Sequence, residues 1–312
     1  MDSNLPYLLF MQMINRIWKR FIRLYYRLQI AINGRKTNQN LIIILSDGGV
    51  CSQIAFWALG LFYEQCGFRV KYDLSWFQQH GMDMNKRFVR NYDLTKAFPE
   101  AVLPVASDYE CFSLKQYHRV EGAGEKFKDI LPPAFITGYP NRAQLVIQHR
   151  LVFRKYFKID EEQLSPQNVK ILSDITECEH ACAIHVRRGD LSKFNIHYGE
   201  PLTADYFNAA INTILDRYKN THFFFFSDEI SWIQSDLIPS IKNQFPHTIV
   251  TGNGSDKGYI DLYLMSKCDS FVTSQGSLGK FARILRSDDA LVVEPSSKVM
   301  FEKELLENVV VL

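Results

Sequence analysis

The sequence predicts an α/β protein built on parallel sheets with helices on both faces, preceded by an amphipathic helix. Two observations support this. Short apolar runs, β-branched at Leu41–Leu45 and aromatic at Phe223–Phe226, alternate with segments of helical period through short connections. Polar clusters recur just after such runs, where doubly wound sheets bind their ligands.

Taken in order, Leu41–Leu45 reads as a strand buried on both faces, residues 52–65 as a helix ended by Gly67, and residues 69–73 as a second strand. Residues 76–165, punctuated by prolines, are expected to form mixed short helices. Beyond them, strands at 181–186, 222–226, 248–251, 270–273 and 290–293 alternate with helices at 203–218, 229–237, 259–267 and 277–286. Thr203 stands at a capping position. The 312 residues divide into an N-terminal helix and linker (1–40), a first α/β domain (41–165) and a second (166–312).

The charge is uneven. Seven cations against Asp2 give the first 46 residues a net +6, which leaves −4 of the chain's +2 for the remainder. That balance argues against a nucleic-acid partner, which needs a basic body. Within residues 5–30, Arg16, Lys19, Arg20, Arg23 and Arg27 share one helical face. Ile14, Ile17, Trp18, Phe21, Leu24, Tyr25 and Leu28 form the other. Such a helix either lies on an anionic membrane surface or docks on the protein's own core with its cations in water. The apolar stretch is too short to span a bilayer, and its charges follow rather than precede it, unlike a signal peptide. Six cysteines without regular spacing favour a reducing, cytoplasmic setting, with the first helix placing the protein peripherally on the inner face of the membrane.

Four clusters could support chemistry. The first is His185-Val186-Arg187-Arg188-Gly189-Asp190. Arginines at a strand end offer planar donor forks suited to a diphosphate and would stabilise it as a leaving group; otherwise they make a surface turn paired with acids. In the second, Thr273–Ser277, Ser274 and Ser277 precede a helix and suit either an anion site or simple capping. Asp228, in the third, could accept from a ribose or base, or cap the next helix. The fourth is the glycine-rich turn Gly48-Gly49 to Gln53. It fits neither the dinucleotide pattern nor a P-loop, so NAD and ATP are disfavoured. Cys178, His180, Cys182 and His185 match no zinc spacing, and no metal site is expected. Phe223–Phe226 reads as sheet core.

These motifs resemble bacterial α-1,2-fucosyltransferases of glycosyltransferase family 11, relatives of the α-1,6- and protein O-fucosyltransferases. The resemblance rests on His185–Asp190, Phe224–Glu229, Asp261–Cys268 and Gly48–Gln53 with Ala55 and Ala58-Leu59-Gly60, and spans residues 41–295. It implies a GT-B-like fold of two facing Rossmann-type domains, the first on the acceptor side and the second holding the nucleotide sugar. It implies GDP-fucose as donor substrate, no cofactor or metal, and inverting transfer of L-fucose to a galactoside hydroxyl in surface polysaccharide or O-antigen synthesis. The acceptor would be an oligosaccharide or lipid-linked glycan. The alternatives are transfer from another nucleotide sugar, or nucleotide and carbohydrate binding without catalysis. By resemblance Arg187 contacts the donor phosphates, and His185 and Arg188 share that pocket. Asp228 lies near the nucleoside, Ser274 and Ser277 line the third motif, and Gly48, Gly49 and Gln53 face the acceptor and donor sugar. Asp190 is the candidate base. The chain departs from the family where Cys51-Ser52 replace Gly-Asn, and where Gly279-Lys280-Phe281 stands in place of two tryptophans.

Overall fold

The computed structural model describes residues 5–33, 39–79, 81–82, 86, 89–140, 142–189, 191, 200–241, 244–296 and 308–312. Contacts divide it into two units, one of residues 1–45, 59–74 and 103–140, the other of residues 46–58, 75–102 and 141–312. Each has its own all-parallel sheet. The class is therefore the α/β one expected, two units each with a parallel sheet, with an N-terminal helix α1 (Leu5–Asn33).

In the first unit the strands β1 (Leu41–Leu45), β2 (Arg69–Asp73), β3 (Arg119–Glu121) and β4 (Ala134–Thr137) lie in the order β2-β1-β4-β3. Leu41 to Ile44 are wholly buried, as a continuous apolar run in a central strand requires. Leu41, Ile43 and Phe135 pack on Leu114 of a helix, Asp108–Tyr117. That helix starts with a capping box, Ser107 and Glu110 satisfying each other's backbone N–H. The helix α2 (Val50–Gln65) follows β1. Its Gly60 admits the Tyr72 hydroxyl where a methyl group would collide at 1.8 Å, so the helix approaches β2 closely.

In the second unit β5 (His180–Val186), β6 (Thr221–Ser227), β7 (His247–Ile249), β8 (Ser270–Val272), β9 (Leu291–Glu294) and β10 (Val309–Val311) run in the order β10-β9-β8-β5-β6-β7. From β5 the chain proceeds to β6 and β7 on one side, then crosses to β8 and proceeds outward to β9 and β10. Strand order therefore reverses between β5 and β8, and the loops leaving their carboxyl ends open a crevice there. Phe223 to Phe226 are at most 1% exposed, the sheet core they were expected to be. The core adds Ile184 and Val186, Phe207, Ile211 and Ile214 from the helix Ala204–Arg217, and Val272 and Val293. The expected Thr203 cap makes no side-chain bond to that helix.

Candidate functional site

The site is assembled at the β5/β8 crevice. Arg187 follows the last residue of β5, and its backbone N–H donates to Ser274 Oγ (3.0 Å) in the loop after β8. Ser274 is fully buried and also meets His185 Nδ1 at 3.4 Å. The two loops are thus tied across the switch point by one hydroxyl. The helix that follows β8, Leu278–Arg286, points its N-terminus into the same crevice. It comes near because Gly279 has no side chain: a methyl there would sit 2.8 Å from His185 Cβ. Burial, with Arg187 and Lys280 close by, pushes the His185 imidazole down to about 3. Burial thus favours the neutral ring, whose Nδ1 meets the Ser274 hydroxyl.

The Arg187 guanidinium lies over Gly276, whose absent methyl would fall 2.6 Å from Nη1. Gly276 has φ +92°, a left-handed conformation. A planar cation and the positive end of a helix consequently converge on one spot, the physical recipe for an oxyanion of phosphate. Gly276→Ala is expected to strain the backbone and displace the guanidinium together. We expect a loss of about 1–3 kcal/mol of stability and weaker GDP binding by calorimetry. Unchanged GDP affinity would mean that Arg187 does not need this seat.

Arg188 is placed otherwise. Its guanidinium stacks 3.8 Å from the Trp232 ring centre, Nη1 donates to the Leu202 carbonyl (2.7 Å), and Nε stands 3.6 Å from Glu229. It walls a cavity of about 860 Å³ that includes Thr203, Trp232, Asp236 and Ser240. Of the two arginines expected at the diphosphate, Arg187 lies against the Gly276 turn, and Arg188 against Trp232 and the Leu202 carbonyl. Asp228 caps no helix; its Oδ1 accepts from the Arg188 backbone N–H (2.9 Å), fixing the loop after β5. Ser277 occupies the N-cap position without a capping bond, so its hydroxyl is not committed to the helix. Asp190 lies outside the described residues.

The glycine turn has its own geometry. Gly48 has φ +71°, and the amides of Ser52 and Gln53 donate to the Gly49 carbonyl as α2 begins. Gln53 is 1% exposed. Its Nε2 donates to the carbonyls of Gly48 (3.1 Å) and Asn91 (2.9 Å), and its Oε1 accepts from the Leu94 N–H (2.8 Å). Gln53 therefore shapes the turn through its bonds to backbone. Gly49 does face a functional group that the sequence reading missed. The Arg90 guanidinium stands 3.7 Å from the position of a Gly49 methyl. No periodicity marks Arg90, which follows an irregular stretch.

The tempting Cys178–His185 spacing dissolves in space. His180 stacks on Tyr218 and bonds Ser270, at the opposite end of β5 from His185. Among the described residues no group of three His, Cys, Asp or Glu side chains could hold a metal ion. The departure at Lys280 is accommodated by Glu294: both are buried, with Nζ 3.8 Å from Oε1.

Asp261, in the helix Gly258–Ser266, accepts from Asn253 Nδ2 (2.8 Å), which is paired to Asn168. Burial nevertheless pushes its carboxyl up to about 7. The folded protein then binds a proton that the unfolded chain releases near pH 4. Stability is accordingly lost as pH rises from about 4 to about 7. Asp261→Asn keeps the acceptor and removes this slope. It is expected to raise stability at pH 8 by roughly 4 kcal/mol and to change nothing at pH 4. A thermal-melt difference between the two proteins that stays constant across that range would refute the assignment.

The profile described as Glycosyl transferase family 11 matches residues 115–308. Two Escherichia coli proteins are similar in sequence. One is the O-antigen biosynthesis glycosyltransferase WbnK, 28% identical over 51% of this chain and 53% of its own length. The other is an alpha-1,2-colitosyltransferase, 24% identical over 74% of this chain and 79% of its own. The chain thus spans about half the length of WbnK. Among solved structures, NodZ alpha-1,6-fucosyltransferase co-crystallised with GDP is similar at 14% identity, 84% coverage of this chain, 97% of that one and a TM-score of 0.49. The matched segment contains the whole β5/β8 crevice with Arg187, Ser274 and the Gly276 turn, and the chain belongs to glycosyl transferase family 11.

Proposed function

We propose that the protein transfers L-fucose from GDP-fucose to a galactoside hydroxyl, forming an α-1,2 linkage with inversion, in the synthesis of a surface polysaccharide such as O-antigen. The observation that supports this best is the convergence of Arg187 and a helix N-terminus on the switch-point crevice. In a single displacement the acceptor hydroxyl attacks the anomeric carbon while the bond to GDP breaks. Negative charge then grows on the diphosphate, where Arg187 and the helix stabilise it. The cavity beside Arg188 has a volume suited to a nucleoside. A base takes the acceptor proton, with the Asp190 carboxylate as the candidate. The reaction needs no metal in this reading, since a guanidinium and backbone N–H groups supply the charge.

A second donor is favoured by one observation, the similarity to a colitosyltransferase over 74% of this chain. Colitose is L-fucose without its 3-hydroxyl. A pocket built to hydrogen-bond that hydroxyl rejects the deoxy sugar by about 10⁴-fold or more, whereas an apolar one discriminates only about 10²-fold. Purified protein offered GDP-fucose, GDP-colitose and UDP-sugars with a panel of galactosides, read by product mass and linkage, decides the matter. A fucosylated product at O2 is expected. A product from a UDP-sugar alone would overturn the donor assignment, and GDP binding without turnover on any acceptor would leave a binding protein.

A further inference from the structure

The helix α1 has three longitudinal strips. Ile22, Tyr26, Gln29 and Ile30 are half-buried, and the Tyr26 ring packs on Tyr109 and Phe112 (5.5 and 5.7 Å between ring centres), all within the first unit. At about 100° per residue, a second strip holds Arg16, Lys19, Arg20, Arg23 and Arg27, all exposed. The third includes Ile14, Ile17, Trp18, Phe21, Leu24 and Leu28, each 43–64% exposed. Of the two expectations for this helix, the structure shows the docking, through Tyr26. The docked strip is narrow and distinct from the apolar face, which is left in solvent.

A helix that needed only to dock would have no use for a second apolar strip. Single exposed apolar residues are ordinary, but a contiguous strip of them marks an interaction surface. Its partner is indicated by charge. No acidic residue occurs between Ser3 and Ser46, and the cations border the apolar strip at Leu24. Long basic side chains in that place reach headgroups while their neighbours enter the acyl boundary. No helix of the described residues is long and apolar enough to cross a bilayer.

We propose that α1 binds an anionic lipid bilayer through its Trp18–Phe21 strip and its arginines, fastening the first unit to the membrane by the Tyr26 contact. This is independent of the donor assignment. The test is co-sedimentation of the full chain with vesicles of phosphatidylcholine alone or mixed with phosphatidylglycerol. Binding is expected only to the anionic vesicles. Trp18→Glu with Phe21→Glu should lower the partition coefficient at least about tenfold. Each arginine changed to Gln at 16, 20 or 23 should lower it about fivefold. GDP affinity should stay unchanged in all of these. In the wild type, Trp18 fluorescence should be quenched by brominated acyl chains, and the quenching should vanish in Trp18→Phe. Equal binding to neutral vesicles, or no loss in the double variant, would overturn the proposal. So would a double variant that turns a dimer into a monomer while the wild type ignores vesicles, since the strip would then belong to a second copy.

Discussion

Arg187→Ala is expected to lower turnover about 10³-fold, roughly 4 kcal/mol of barrier, with the fold intact. The size follows from when the interaction matters. A diphosphate that departs with its electron pair gains charge in the transition state, so a guanidinium aimed at it contributes more there than to the bound donor. The fold should survive because Arg187 is anchored to the structure through its backbone N–H on Ser274, which alanine retains. Its guanidinium rests on a glycine and not in the core. Arg187→Lys keeps a charge but loses the planar fork, and should recover no more than about a tenth of the wild-type rate. The decisive readout is kcat with GDP-fucose beside a thermal melt. Turnover within about threefold of wild type, under 1 kcal/mol, would remove Arg187 from the reaction.

Much of this arrangement was legible in the chain. β1 and the β5–β9 series announce themselves because strands buried on both faces are apolar without interruption, and the helices between them have a clear period. The Arg187 and Ser274 loops could be placed at strand ends for the same reason. What escaped has physical causes. β4 is four residues long behind Pro132-Pro133, and prolines read as turn; β10 is a three-residue run stabilised only by pairing with β9. Neither has enough residues for a pattern to rise above local composition, and both are strands because a neighbour supplies their hydrogen bonds. Lys280 escaped for a different reason. A cation in the first turn of a helix looks solvent-facing until Glu294, from another strand, is seen to meet it. The two arginines of the first motif are identical in sequence terms. Only the position of Trp232 and the Leu202 carbonyl separates the placement of Arg188 from that of Arg187.

The same distinction between chemistry and scaffolding governs Gln53, where the second large effect is expected. Its amide orientation is fixed by its partners, since the nitrogen faces two carbonyls and the oxygen faces an N–H. Gln53→Leu removes three bonds at a site closed to water and strands the Leu94 N–H among buried groups. A buried group left without a partner costs about 1–3 kcal/mol, and the three are coupled, so a loss of roughly 3 kcal/mol is expected. For a protein of this size the melting temperature should fall by about 5–10 °C. Gln53→Glu should fare no better. A carboxylate can still accept from Leu94 but cannot donate to the Gly48 and Asn91 carbonyls, and it meets their negative ends in a poorly solvated place. Activity should decline in both variants together with stability, through disorder of the Gly48-Gly49 turn and its Arg90 neighbour. If Gln53→Glu instead melted like wild type and lost only kcat, the amide would have to touch the reacting sugar, and its present backbone partners would not be those of the working enzyme.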